Sequence, residues 1–257
     1  MRRIRLIISY DGTNYVGWQV QPNGVSVQEL LEKALFELTG EQIRVEGSGR
    51  TDSGVHARAQ VAHFDTNVRM AADKFAIAMN MHLPGDIRVL YSEECDPSFH
   101  ARFSAKRKEY AYTVQLGPHA DVFTRTTALH LHYAPDLDAM QKAAAAVLGT
   151  HDFNAFKCTG SSMENTVRTI TKSEWKNNGH YLVYSVEGNG FLYNMVRILV
   201  GTMLAIGSGK RPSSDMQKAI ESGDRKQAGA TAPAHGLCLM RVVYPDFDTE
   251  EVLRRDT

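Results

Sequence analysis

Apolar residues alternate with polar ones at the start of the chain. Ile4, Leu6, Ile8 and Tyr10 fall on one face, and this spacing predicts a half-buried strand over 3–10. Residues 11–24, rich in Gly, Asn and Gln, carry Tyr15 and Trp18 and read as a long loop, a feature often tied to function in compact domains. Ser26 and Glu29 form a capping-box pair. Leu30, Leu31, Ala34, Leu35 and Leu38 then recur at helical spacing until Gly40 stops the helix. Strands over 42–48 and 59–65, a helix over 71–82 broken by Pro84-Gly85, and a strand over 86–94 follow. The resulting order, β-α-β-β-α-β, is the split βαβ pattern of ferredoxin-like and RRM-like domains.

The same order then recurs without visible sequence identity. Tyr110, Tyr112 and Val114 alternate in a strand over 107–116, and an Ala-rich helix spans 136–148. Strands over 167–177 and 180–187 flank the hairpin signal Asn177-Asn178-Gly179. A helix over 191–206, a short extra helix over 213–222 and a closing strand over 237–243 complete the pattern. The expected fold class is α+β, with two βαββαβ ferredoxin- or RRM-like halves whose antiparallel sheets form a central cleft. The expected boundaries are 1–105, 106–245 and a tail over 246–257.

The chain's 257 residues are 43% hydrophobic and 23% charged, which excludes disordered and fibrous classes. Lys and Arg number 29 and so do Asp and Glu, which excludes a bulk polycation that coats nucleic acid. A local basic groove remains open, because phosphate affinity depends on where the charge sits. Up to residue 100 there are 10 basic and 13 acidic side chains; beyond it there are 19 and 16. The densest basic run, Arg102, Lys106, Arg107 and Lys108, interleaves with Phe99, Phe103, Tyr110 and Tyr112, the composition of a phosphate track. Cys95, Cys158 and Cys238 lie far apart, which excludes a disulfide framework or zinc knuckle and fits a reducing cytoplasm. The most apolar stretch, 191–207, contains Asn194 and Arg197 and is too short to span a bilayer. His130 and His132 lack an acidic third ligand at useful spacing, and His56 and His63 read as ordinary, so no metal is expected.

Residues 47–57, Gly-Ser-Gly-Arg-Thr-Asp-Ser-Gly-Val-His-Ala, are the most unusual segment. A phosphate-binding P-loop needs Lys-Ser/Thr after its last glycine, and Gly54 is followed by Val55-His56. A dinucleotide fingerprint fails in register, since its third glycine falls on Asp52. What remains is one carboxylate, Asp52, on a Gly-rich turn and flanked by Arg50 and Arg58.

The run Gly49-Arg50-Thr51-Asp52-Ser53-Gly54-Val55-His56-Ala57 resembles the active-site motif of the tRNA pseudouridine synthase A family. Tyr10-Asp11-Gly12-Thr13 with Gly17-Trp18-Gln19 resembles its opening, and Phe99-His100-Ala101-Arg102 with Tyr110-Ala111-Tyr112 its central segment. Later blocks agree as well: His151-Asp152-Phe153 with Phe156, Gly190-Phe191-Leu192 with Met195-Val196-Arg197, and Ala232-Pro233-Ala234 with Gly236-Leu237. Lys108 departs from the arginine expected two residues before the central tyrosine, which keeps the charge and loses the bidentate fork.

The resemblance implies an isomerase that turns uridines of the tRNA anticodon stem-loop, at tRNA positions 38, 39 and 40, into pseudouridine without cofactor or metal. It implies a homodimer with tRNA as partner. The reaction breaks the C1′–N1 bond, turns the uracil and joins C1′ to C5. Asp52 matches the family's catalytic aspartate, and two routes stay open: attack on C1′, or removal of the 2′ proton to give a glycal. Arg197 matches a motif arginine and is expected to keep Asp52 ionised. Tyr110 matches an active-site tyrosine that can stack on the uracil and reach the C5 proton. Arg58 is the candidate to enter the space left by a flipped nucleotide. Arg50, Lys106, Arg107 and Lys108 are candidate RNA contacts, and Trp18 and Gln19 candidates to clasp the tRNA. Two other readings fare worse. A tandem RRM module lacks the Lys/Arg-Gly-Phe-Gly-Phe type of run, and a glycoside hydrolase needs a second carboxylate beside Asp52.

Overall fold

A computed structural model describes residues 1–158, 160 and 163–255; the last two residues of the expected tail lie outside the described residues. The chain divides into two compact units: residues 1–108 with 238–257, and residues 109–237.

In the first unit β1 (Arg2–Tyr10) is the central strand. Helix α1 (Val27–Thr39) follows, then β2 (Glu46–Gly47), β3 (His56–Thr66), α2 (Lys74–Asn80) and β4 (Ile87–Cys95). β1 pairs antiparallel with β3 on one side, Leu6 opposite Ala62, and with β4 on the other, Leu6 opposite Ser92. β2 pairs antiparallel with β3. The order β4-β1-β3-β2 is that of a split βαβ sheet. Both signals expected at α1 are present. Ser26 accepts from the Glu29 amide at 3.2 Å while Glu29 reaches back to the Ser26 amide, and Gly40 closes the helix with φ 73°. Leu31, Leu35, Phe64 and Phe75 are buried, the last two rings meeting edge to face at 5.4 Å.

The strand expected over 42–48 shrinks to two residues for a visible reason. Side chains of α1 take the Val45 backbone: Glu32 Oε1 accepts from its amide (3.0 Å) and Gln28 Nε2 donates to its carbonyl (3.0 Å). These groups are then unavailable to a strand ladder.

The second unit starts with β5 (Arg107–Leu116), whose first two residues belong to the first unit, and continues through β6 (Leu129–Leu131), α3 (Leu137–Ala145), β7 (Gly149–Asp152), β8 (Val167–Asn177), β9 (Tyr181–Gly188), α4 (Met195–Gly207) and α5 (Ser214–Ser222). Its strand order is β5-β9-β8-β7, with β6 parallel beside β5. Trp175 and Tyr184 stack at 5.1 Å in its core, and the Trp175 indole meets Met203 Sδ at 3.1 Å. α4 starts at Met195, four residues later than the apolar pattern suggests, because Asn194 sits in the left-handed region (φ 62°) and turns the chain there.

β10 (Leu237–Val243) falls by its contacts with the first unit, where Cys238 and Leu239 pair in parallel with His56 and Ala57 of β3. The tail is ordered as α6 (Thr249–Arg255). Before it, Phe247 lies under the buried Arg5 guanidinium (3.7 Å to the ring), which also lies 4.8 Å from Phe99 and pairs with Glu93. Among the described residues no helix is long and apolar enough to cross a membrane.

Candidate active site

Asp52 stands on the turn between β2 and β3, half-buried, with its backbone carbonyl accepting from the Val55 amide at 3.1 Å. The 11–24 loop is laid against this turn by main-chain contacts. The Trp18 amide donates to the Thr51 carbonyl (3.1 Å), the Gly54 amide to the Tyr15 carbonyl (3.4 Å), and Gly17 bridges Asp52 itself. Such an approach excludes side chains. A Cβ on Gly12 would lie 2.1 Å from the Val55 carbonyl oxygen, and one on Gly17 (φ +109°) 2.5 Å from that of Thr51. The Gly12 amide also donates to His56 Nδ1 at 3.0 Å, so His56 supports the turn.

Trp18 does not offer a clasp. It is 2% exposed, and its indole lies against Gly47, where a Cβ would come within 2.5 Å of the ring. The indole therefore fastens the loop and leaves no free face for a base. Gln19 remains accessible at the rim. Its Oε1 accepts from Arg50 Nε at 3.1 Å, and its amide donates to Gln28 at 2.9 Å, so the exposed Arg50 is tethered through it.

Arg58 is exposed on β3 between buried Ala57 and Ala59. Lys106 and Arg107 are exposed, whereas the Lys108 ammonium turns inward and donates to the Ser48 carbonyl. Of the four aromatics interleaved with this basic run, Phe99, Tyr110 and Tyr112 are buried; only Phe103 presents a face, at 75% exposure, with the Arg102 guanidinium 5.6 Å from its ring.

The second unit holds the other two matched residues. Tyr110 on β5 is buried with its ring edge-on to Phe191 at 5.2 Å. Arg197, in the first turn of α4, is aimed by two neighbours. Its Nε donates to the Ala232 carbonyl (2.8 Å) and its Nη1 to Asn194 Oδ1 (2.8 Å). The Ala232 amide in turn donates to the Arg197 carbonyl at 3.0 Å, and Tyr112 fixes the next residue through a 2.9 Å bond to the Pro233 carbonyl. Burial pushes the Tyr112 hydroxyl pKa well above its ordinary value, while the Arg197 charge pulls it down. Asn194 and the Ala232-Pro233 segment thus cradle Arg197. The sequence showed the Ala-Pro block but gave no sign of what it holds. Among the described residues no three His, Cys, Asp or Glu side chains gather as a metal site.

The glycine turn that carries Asp52 belongs to one unit and the cradled Arg197 to the other. Residues 6–104 and 143–245 match the family described as tRNA pseudouridine synthase, and the chain belongs to that family. It is 49% identical over 238 residues to tRNA pseudouridine synthase A of Halalkalibacterium halodurans, covering 92% of this chain and 90% of that one. It is 45% identical over 244 residues to the protein of the same name from Thermoanaerobacter sp. (strain X514), covering 95% of this chain and all of the other. In solved structures a likeness to a chain of a Cbf5-Nop10-Gar1 complex, with TM-score 0.40 and 13% identity, covers 92% of this chain and 48% of that one. The chain is accordingly an isomerase that converts uridine in tRNA to pseudouridine.

Proposed function

We propose that Asp52 is the group that acts on the ribose, and that the uridines taken lie in the anticodon stem-loop, at tRNA positions 38, 39 and 40. The observation that carries the role of Asp52 is the turn itself. Asp52 is the one carboxylate between Glu46 and Asp65 in the sequence, and main-chain contacts hold its backbone from the 11–24 loop. A carboxylate so placed can attack C1′ or take the 2′ proton, and either route cleaves the C1′–N1 bond. The uracil then turns and C1′ joins C5, after which the C5 hydrogen leaves as a proton and N1 carries one.

In this reading Arg197 supplies the cation that keeps Asp52 ionised, since an adjacent guanidinium lowers a carboxylate pKa by about 1–3 units. Tyr110 stacks on the uracil and its hydroxyl takes the C5 proton. A uridine in a stem must be extruded first, at a cost that phosphate contacts offset. Arg58 enters the vacated space, and Arg50, Lys106 and Arg107 touch the RNA backbone. Their exposure supports these roles. The enzyme works as a homodimer in the cytoplasm, with tRNA shared between two copies.

The test is a purified protein and an unmodified tRNA transcript carrying tritium at uridine C5. Asp52→Ala is expected to abolish tritium release and leave tRNA binding intact. Persistent release at more than a tenth of the normal rate would remove Asp52 from the chemistry.

A further inference from the structure

The segment leading into Asp52 is held by side chains that the reaction itself does not need. The Ser48 amide donates to the Val61 carbonyl at 2.7 Å, and Ser48 Oγ donates to Gln60 Oε1 at 2.6 Å. Gln60 Nε2 donates to the Gly49 carbonyl at 3.0 Å and lies 3.5 Å from the Tyr10 hydroxyl, which in turn pairs with Thr51 Oγ1 at 2.8 Å. Gln60 is fully buried in the middle of β3. Lys108 reaches the same turn from the far end of the basic run. Its ammonium donates to the Ser48 carbonyl and lies so close to Gly49 that a Cβ there would come within 3.0 Å of Nζ.

Lys108 has no carboxylate partner among the described residues, and the charge acting on it is Arg102, of like sign. Burial, with a smaller push from Arg102, brings its pKa down to about 8. A lysine serving phosphates has reason to stay in water, as exposed Lys106 and Arg107 do. This one spends its ammonium on a main-chain oxygen instead, and a charged donor makes the stronger bond to it.

We propose that Lys108 and Gln60 are positioning residues for the isomerisation, holding the consecutive carbonyls of Ser48 and Gly49 so that the turn presents Asp52 in its reacting geometry, and that Lys108 is not a phosphate contact. The inference rests on Asp52 being the reacting carboxylate. It adds two groups that never touch the substrate yet set the rate. A displacement of about 1 Å in a reacting group can cost about a hundredfold in rate.

The experiment measures single-turnover tritium release at saturating enzyme, together with the tRNA Kd at several salt concentrations. Lys108→Met is expected to lose about 10- to 100-fold in rate with Kd within about twofold and its salt slope unchanged. Lys108→Arg, which keeps a charged donor, is expected to recover most of the rate. Gln60→Met carries the same expectation as Lys108→Met, and it stands in should that variant fail to fold. A Kd weakened tenfold or more for Lys108→Met, with a salt slope lower by about one and the saturated rate unchanged, would make Lys108 a phosphate ligand and overturn the proposal. Equal losses in rate and binding, or no change in either, would overturn it too. Asp52→Ala run alongside separates the two claims. If that variant stays active the reading of Asp52 itself has failed; if it is dead while Lys108→Met is normal, only the positioning role has.

Discussion

Gly17→Ala probes how tightly the 11–24 loop controls Asp52. The added methyl would sit 2.5 Å from the Thr51 carbonyl oxygen and 3.1 Å from the Asp52 carbonyl carbon. Ordinary contact starts at 3.4 Å, so the turn must retreat by about 0.9 Å on the Thr51 side. Both obstacles are backbone, so no flexible side chain can swing away. The left-handed φ of +109° adds strain of about 1–3 kcal/mol, which for a chain of this size lowers Tm by roughly 2–12 °C. The rate effect is larger. With Asp52 as the acting group, as proposed, a retreat of up to about 0.9 Å in the turn that carries it predicts chemistry slower by up to about a hundredfold, with tRNA affinity nearly unchanged. Gly40→Ala is the control, because Gly40 also has a left-handed φ (+73°) but nothing within 4 Å of its would-be Cβ. It should lose stability and keep its rate. Tritium release from C5-labelled tRNA at saturating enzyme, read beside thermal melts, gives both quantities. If Gly17→Ala and Gly40→Ala show the same rate, the loop does not set the position of Asp52.

Arg197→Met should depress turnover at least tenfold while tRNA binding stays within about twofold. If Arg197 is the cation beside Asp52, as proposed, the acid limb of the kcat profile should also move to higher pH; equal losses in rate and affinity would assign Arg197 to binding. Tyr110→Phe keeps a ring for stacking and loses the hydroxyl, so Kd should hold while tritium release slows by about 10²-fold or more; unaltered release would remove Tyr110 from proton transfer.

Much of the scaffold can be read from local spacing. Ser26, Glu29 and Gly40 announce α1 because caps are made by residues three or four apart, and β5, β8 and β10 keep their expected limits because alternation is strong there. Long-range competition defeats the same logic at residues 42–45, where Gln28 and Glu32 claim the Val45 backbone from a neighbouring helix. β6 and β7, at three and four residues, are too short to show a period. Helix α3 ends at Ala145, short of the pattern's limit, while Asp136 at its start serves as the cap for the Ala139 amide (2.9 Å). Asp52 stands out in the sequence through its glycines. The groups that aim it and Arg197 do not. Gln60 reads as one more polar residue on a strand, Trp18 as a loop aromatic, and the αL turn at Asn194 leaves no mark in a hydrophobic pattern.

The pairing of β10 with β3 has a consequence for biosynthesis. A ribosome delivers Asp52 early, but the strand beside His56 and Ala57 is made nearly two hundred residues later, and Phe247 caps Arg5 later still. The unit of the nascent chain that carries Asp52 must therefore wait, with β3 lacking its parallel neighbour, until residues 237–243 have been made. A premature stop anywhere before residue 237 would strip that strand from the unit that carries the aspartate, however far the lesion lies from it in the gene.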